Sequence, residues 1–143
     1  MIYLGADHGG FKLKGQIKNC LSRWGKRYCD LGNDVYDDND DYPDFALAVA
    51  KKVKKGGWGI LFCRSAAGMV IAANKMAGIH AAAAFDVKSA KHSREHNDAN
   101  VLVLSGDWLD QKRACQIVRA WLNTKFAREA RHLRRLGKIK ALE

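Results

Sequence analysis

The feature that most constrains the fold is a fivefold alternation of short apolar runs with longer amphipathic segments. The apolar runs lie at 1–5, 27–32, 58–63, 78–85 and 100–106. The run "WGILFC" at 58–63 is apolar throughout, which is typical of a strand buried on both faces of a parallel sheet. The alternation predicts a doubly wound, Rossmann-like α/β fold: a five-stranded parallel sheet with helices on both faces and a C-terminal helix.

The length of 143 residues suits a single domain over 1–143 with a substantial core. No apolar run approaches the roughly 20 residues that span a bilayer, and the amino terminus lacks the pattern of a secretory signal. We therefore expect a cytoplasmic protein with no membrane partner. The four cysteines, which form no CxxC pair, are Cys20, Cys29, Cys63 and Cys115. In a reducing compartment we expect free thiols, all but Cys63 serving as ordinary core residues.

The net charge of +10 is unevenly distributed, since acidic residues cluster in 30–44 and basic residues in 125–140. A basic helix can bind nucleic acid, but no helix-turn-helix pattern and no basic stretch with interleaved aromatic residues accompanies this one, so we expect no nucleic-acid partner. The basic segment is either a solvated face or an anion site. Arg131 and Arg135, one helical turn apart, could grip a single phosphate.

Doubly wound folds bind ligands beyond the carboxyl ends of their strands, which directs attention to "GADHGG" at 5–10 and "CRSAAG" at 63–68. The first stretch lacks the glycine spacing of a dinucleotide site. Its Asp7 carboxylate can accept hydrogen bonds from sugar hydroxyls and its His8 imidazole can contact an anion. Alternatively, Asp7 caps the helix that follows.

Cys63 lies where a buried strand ends and a helix begins. The helix dipole, unpaired backbone N–H groups and the neighbouring Arg64 are expected to lower the pKa of the thiol. Cys63 is therefore either a reactive thiolate or a small buried hydrophobe. The loop 64–68 offers backbone N–H groups that could cradle an anion or an oxyanion.

His92 and His96 share one helical face, a spacing that suits a metal ion. The sequence offers neither the HExxH order nor an evident third ligand, so we expect no metal site. His96, followed by Asn97 at the end of its helix, fits an acid/base residue better.

Together these segments resemble the type B ribose-5-phosphate isomerase family, which includes galactose-6-phosphate isomerase subunits. The matching stretches are "GADHGGFKLK", "DYPDFA", "ILFC", "IAANK", "SREHNDANVL", "AWLNT" and the pattern RHxxR, in family order. The resemblance implies an aldose–ketose isomerase of sugar phosphates that needs no cofactor or metal, most simply acting on ribose 5-phosphate. The alternatives are a hexose 6-phosphate or unphosphorylated sugar as substrate, or sugar-phosphate binding without turnover.

The resemblance also implies roles for individual residues. Cys63 would remove the C2 proton of the sugar, and His96 would assist ring opening. Asp7 and Tyr42 would contact sugar hydroxyls, with Asn97 beside them. Because the family's site lies between two subunits, His96 and Asn97 would come from a partner chain, which implies a homodimer or a dimer of dimers.

The implied phosphate ligands are His8, Arg131 and Arg135. A family phosphate-binding arginine falls on Asp107 here, and an acid there would repel a phosphate. Arg64 could replace the lost positive charge.

The loop after the cysteine also departs from the family pattern Gly-Thr-Gly-x-Gly. Here it is Arg64, Ser65, Ala66, Ala67 and Gly68, which we expect to contribute to substrate binding. Ala66 adopts a positive φ less readily than glycine, so we expect a reshaped cradle. A second branch of the family uses a glutamate in the next helix as its base. The corresponding residue here is Met69, so the cysteine branch fits.

Overall fold

The computed structural model describes all residues from 1 to 143, which form five strands and six helices. The strands are β1 (Ile2–Ala6), β2 (Tyr28–Asp30), β3 (Trp58–Cys63), β4 (Ala81–Ala83) and β5 (Val101–Ser105). The helices are α1 (Phe11–Arg23), α2 (Tyr42–Val53), α3 (Ala67–Ala73), α4 (Val87–Asn97), α5 (Gln111–Asn123) and α6 (Ala130–Lys140). All the predicted elements are present, although β4 is shorter than the apolar run that contains it.

The strands form one parallel sheet in the order β2-β1-β3-β5-β4, which confirms the predicted fold class. The chain leaves β1 toward one edge to form β2, then crosses back to place β3 on the other side of β1. The order of strands therefore reverses between β1 and β3, and in such sheets this is where ligands bind, beyond the carboxyl ends of the strands.

Both faces of the sheet are covered, which explains the uninterrupted apolar run of β3. Alternate residues of a strand point to opposite faces. Ile60 and Phe62 join the core beneath α1, α4 and α5, whereas Leu61 and Cys63 join the core beneath α2 and α3. No helix combines the length and the apolar character that crossing a bilayer requires.

Local signals set the beginnings of α2 and α4. Pro43 occupies the first turn of α2, where its missing N–H costs no hydrogen bond. Asp86 caps α4: its side chain accepts a hydrogen bond from the Ser89 amide at 2.6 Å, and the Ser89 hydroxyl in turn contacts the Asp86 amide. From this cap α4 runs back along the sheet, and α6 packs against it.

The expectation of four free thiols is wrong, because Cys20 and Cys115 form a disulfide. Cys20 lies on α1 and Cys115 on α5, and these helices pack side by side on one face of the sheet with the two Cα atoms 6.4 Å apart. The cysteines are 95 positions apart in sequence, so their proximity depends on helix packing that their spacing does not reveal. Cys29 and Cys63 remain free.

We predict that Cys115→Ser lowers the free energy of unfolding by about 2–5 kcal/mol, because the disulfide restricts a long loop of the unfolded chain. Denaturant unfolding without reductant measures the change. Cys29→Ser, which removes a free thiol, is the matched control and is expected to change stability far less. A count of four reactive thiols in the unreduced, denatured protein, rather than two, would contradict the cross-link.

Candidate active site

The switch between β1 and β3 brings the first two predicted site segments together. Ala6 pairs with Phe62, and the Asp7 amide donates to the Phe62 carbonyl at 3.3 Å, so Asp7 and Cys63 follow adjacent strand ends. The turn after Asp7 passes directly over the end of β3. A side chain at Gly10 would overlap the Phe62 carbonyl, which explains why this close approach requires glycine.

Cys63 is buried, with only 4% of its surface exposed. Burial raises the pKa of its thiol, and the Asp7 carboxylate raises that pKa further. The backbone N–H groups of Met69, Ala66 and Ser65 act in the opposite direction but do not outweigh burial. The predicted lowering of the Cys63 pKa is therefore wrong, because desolvation of the buried thiol outweighs the N–H groups that face it.

In the loop 64–68, the backbone N–H groups of Ser65 and Ala66 face the Cys63 thiol. Ala66 takes the left-handed conformation itself, with φ at +72°, at a cost of about 1–2 kcal/mol relative to an ordinary backbone. Gly68 lies under the Tyr42 ring, and a Cβ atom there would come within 2.6 Å of the Tyr42 Cζ atom. The loop thus places Tyr42 beside the predicted oxyanion donors. The intervening Ala67 is the first residue of α3.

The Asp7 side chain makes the contact at the start of α1 that its sequence position suggested as the alternative to sugar binding. Its Oδ1 atom accepts a hydrogen bond from the Gly10 amide at 3.1 Å, which stabilises the turn into α1. Only 6% of the surface of Asp7 is exposed. Burial raises the pKa of its carboxyl, and the hydrogen bond from Gly10 and the charge of His8 oppose this increase only in part. The sugar-binding role of Asp7 stays a prediction.

His8 has a partner that sequence reasoning missed. Its Nδ1 atom lies 2.7 Å from Oδ1 of Asp40, which also accepts a hydrogen bond from the His8 amide at 3.1 Å. This hydrogen bond raises the pKa of His8, and it lowers the pKa of Asp40 against the effect of burial. Asp40 belongs to the acidic segment 30–44, and no local signal separates it from its solvated neighbours.

Arg64 lies at the same mouth and forms an ion pair with Asp107, the residue that replaces a family arginine. The Arg64 Nη1 and Asp107 Oδ2 atoms are 3.5 Å apart, and both side chains are largely exposed. The loops that carry them are bound together, because the Asp107 amide donates to the Arg64 carbonyl and the Ser105 hydroxyl donates to the same oxygen.

The remaining predicted residues lie near the amino-terminal ends of the strands, at the opposite end from Cys63. His96 and Asn97 end α4, just before β5 begins. The His96 ring stacks on the His132 ring of α6, with centroids 4.5 Å apart. The His92 ring lies edge-on to the His96 ring, with centroids 4.1 Å apart. His132 is buried, and burial together with His96 lowers its pKa.

Arg131 and Arg135 flank His132 on α6 and are exposed. Arg131 donates to the Glu129 carboxylate at 2.9 Å, and Arg135 has no acidic partner. The basic face is therefore solvated in this chain and is adjacent to His96.

Within one chain, the residues around Cys63 and those around His96 lie at opposite ends of the strands. Cys63 pairs with Ser105 at the carboxyl end of β5, whereas Asn97 precedes the amino end of that strand. Strand β5 and the antiparallel helix α4 each span roughly 15 Å, which separates Cys63 from His96. A site that contains both Cys63 and His96 requires a second chain.

One group of side chains has the spacing of metal ligands: donor atoms of Asp7, His8 and Asp40 all lie within 4.8 Å of one another. Within this group, His8 and Asp40 are hydrogen-bonded to each other, and Asp7 accepts a hydrogen bond from the Gly10 amide. His92 and His96 belong to no such group.

Comparison with known proteins gives matches over nearly the whole chain. The sequence model of the family described as "Ribose/Galactose Isomerase" matches residues 2–139. Ribose-5-phosphate isomerase B of Mycobacterium tuberculosis is 39% identical over 137 residues, which cover 94% of this chain and 85% of the relative.

Two solved structures are similar along nearly the whole chain. Ribose-5-phosphate isomerase B from Mycoplasma genitalium, with bound ribulose-5-phosphate, superposes with a TM-score of 0.94 at 40% identity, covering 99% of this chain and 94% of that one. The corresponding isomerase of Clostridium thermocellum gives 0.94 at 42% identity, with coverages of 99% and 95%.

We predict that the Cys63 thiol ionises at a higher pH than an ordinary thiol, and that Asp7→Asn lowers this pH by removing a nearby negative charge. The pH dependence of iodoacetamide alkylation measures the midpoint in a Cys29→Ser background, where Cys63 is the only reduced thiol. Asp34→Asn, an exposed change elsewhere, is the control. A midpoint below that of an ordinary thiol in the parent protein would contradict the burial argument.

Proposed function

The chain belongs to the ribose/galactose isomerase family, and on that premise we propose that it interconverts ribose 5-phosphate and ribulose 5-phosphate. The observation that carries the proposal is the placement of Asp7 beside Cys63 at the switch point of the sheet, with backbone N–H groups directed at the thiol. The full chain, 1–143, acts as one isomerase domain in the cytoplasm.

The proposed reaction moves one proton between neighbouring carbons. The Cys63 thiolate takes the C2 proton of the open-chain aldose, and the electron pair forms an enediolate with negative charge on the C1 oxygen. The thiol then returns the proton to C1 while the proton of the C2 hydroxyl moves to the C1 oxygen, which gives the ketose and restores the thiolate. The raised pKa of Cys63 makes its thiolate a stronger base for removing the C2 proton, although a smaller fraction of the thiol is ionised near neutral pH.

The loop 64–68 supplies the electrostatic stabilisation. Its backbone N–H groups already face Cys63, so they can donate to an oxyanion that forms next to the sulfur without rearrangement. Ser65 adds a hydroxyl donor. Asp7 and Tyr42 hold the sugar hydroxyls from the two sides of the loop, because Asp7 follows β1 and Tyr42 covers Gly68.

We assign ring opening to a second copy of the chain, which contributes the residues at the amino-terminal ends of its strands. There His96 moves a proton between the ring oxygen and the anomeric hydroxyl, with Asn97 beside it. The separation of Cys63 from His96 within one chain supports a homodimer in which each site combines the two edges. Such an isologous pairing produces two equivalent sites and also permits a dimer of dimers.

The phosphate is bound by charges from both chains. His8 and Arg64 lie at the Cys63 mouth, and Arg131 and Arg135 of the partner approach with His96. Arg64 serves in place of the arginine that Asp107 replaces. If Arg64→Ala leaves the KM for ribose 5-phosphate unchanged, Arg64 is not a phosphate ligand.

We predict that the purified protein isomerises ribose 5-phosphate in the presence of EDTA and that Cys63→Ala lowers kcat by about 10²–10⁴, because the proton-accepting group is lost. Formation of ribulose 5-phosphate measures the rate. Cys29→Ser is the matched control and should retain wild-type turnover, since Cys29 lies on β2 away from the mouth.

Two results would overturn parts of this proposal. Full activity of Cys63→Ala would exclude the thiol as the base. Absence of turnover by the wild-type protein, with turnover of a hexose 6-phosphate or a free sugar instead, would exclude ribose 5-phosphate and point to the Arg64–Asp107 pair as the cause of a different specificity.

A further inference from the structure

The contact between His8 and Asp40 is more than a surface ion pair. The Asp40 side chain is only 6% exposed, and its Oδ1 atom accepts hydrogen bonds from both the ring and the backbone of His8. Two bonds from one residue fix the orientation of the ring as well as its position. The proposed function assigns a role to His8 but none to Asp40.

We propose that Asp40 is a positioning residue that holds the His8 ring by Nδ1 and so presents a protonated Nε2 to the phosphate of the substrate. The inference rests on the proposed function, because it concerns how His8 binds the phosphate. It gives one residue of the acidic segment a defined part in substrate binding.

Asp40 is itself held in place by Asn33 of the same segment and, through Asn33, by the buried Lys14 of α1. The Asn33 side-chain amide donates to Asp40 Oδ2 at 3.2 Å. The Lys14 ammonium, buried on α1, donates to the Asn33 carbonyl and to the Asp30 carboxylate, each at 2.7 Å. A chain of polar contacts thus connects α1 to Asp40 and then to His8.

The chemistry of the imidazole gives this contact its consequence. A carboxylate only accepts hydrogen bonds, so Nδ1 of His8 must carry a proton toward Asp40. In the neutral ring, Nε2 is then an acceptor and cannot bind an anion. Only the doubly protonated ring donates from Nε2, and the hydrogen bond to Asp40 raises the pKa of His8 toward that state.

Other charges around His8 act in both directions. Asp7 also raises the pKa of His8, whereas Arg64 and partial burial lower it. The Tyr36 ring lies edge-on with its centroid 6.3 Å from that of His8. Asp40 has the largest effect and is the only one of these groups that forms hydrogen bonds with His8.

The first test measures His8 directly and does not depend on catalysis. NMR titration of the imidazole signals, with His8 identified by its absence in His8→Gln, gives the midpoint of protonation. We expect a lower midpoint in Asp40→Asn than in the wild type. Asp38→Asn, an exposed change in the same segment, should leave the midpoint unchanged, and Asp40→Glu should restore it in part. An unchanged midpoint in Asp40→Asn overturns the proposal.

The second test uses the KM for ribose 5-phosphate across the range from acid to alkaline pH. At acid pH, where His8 is protonated in both proteins, the ratio of the Asp40→Asn KM to the wild-type KM should be one or less, since a nearby negative charge is gone. At alkaline pH the ratio should rise by up to about tenfold for each pH unit by which the midpoint falls. Meanwhile kcat should stay near the wild-type value.

The crossing of the two KM curves distinguishes positioning from other roles. A general structural defect raises the KM at every pH, and simple repulsion of phosphate by Asp40 lowers it at every pH; either result overturns the proposal. If Asp40→Asn does not fold, Asp40→Ser retains a hydrogen-bond acceptor without the charge and is measured instead. If the wild type does not turn over ribose 5-phosphate, the proposed function fails, and the NMR midpoint still decides whether Asp40 controls His8.

Discussion

The parallel pairing of β1 with β3 is the constraint on which the candidate site depends. Because the chain leaves β1 in one direction and returns on the other side, no connection crosses the gap between the two carboxyl ends. Asp7 and Cys63 enter that gap from adjacent strands, and Gly10 allows the turn after β1 to lie directly on β3. The proposed substrate-binding and proton-transfer groups, Asp7 and Cys63, therefore lie side by side.

The same topology explains why Cys63 and His96 lie apart within one chain. Each connecting helix runs antiparallel to the strands, so a helix that begins at the carboxyl edge delivers its last residues to the amino edge. His96 therefore lies far from Cys63, stacked on His132 of α6. A second copy, rather than a loop movement, supplies the missing half in our account. Arg131 and Arg135, which are exposed beside His96, are consistent with a surface that faces the Cys63 site of a partner chain.

The fold and the residues at the strand ends could be predicted because apolar periodicity and strand-end position are local properties of the sequence. Features that depend on distant contacts could not be predicted. The disulfide of Cys20 with Cys115 requires the packing of α1 on α5. The raised pKa of Cys63 requires knowledge of its burial. Asp40 was indistinguishable from its acidic neighbours until the structure placed it on His8.

The central claim is that each active site combines Cys63 of one chain with His96 of another. Its most direct test is co-expression of Cys63→Ala and His96→Gln chains carrying different affinity tags, followed by isolation of the mixed oligomer. Each parent alone is expected to be inactive. A mixed dimer should regain up to about half of wild-type turnover of ribose 5-phosphate, since one of its two sites then carries neither substitution. If both parents are inactive and the mixed dimer is inactive as well, Cys63 and His96 do not act across the interface, and the account is contradicted.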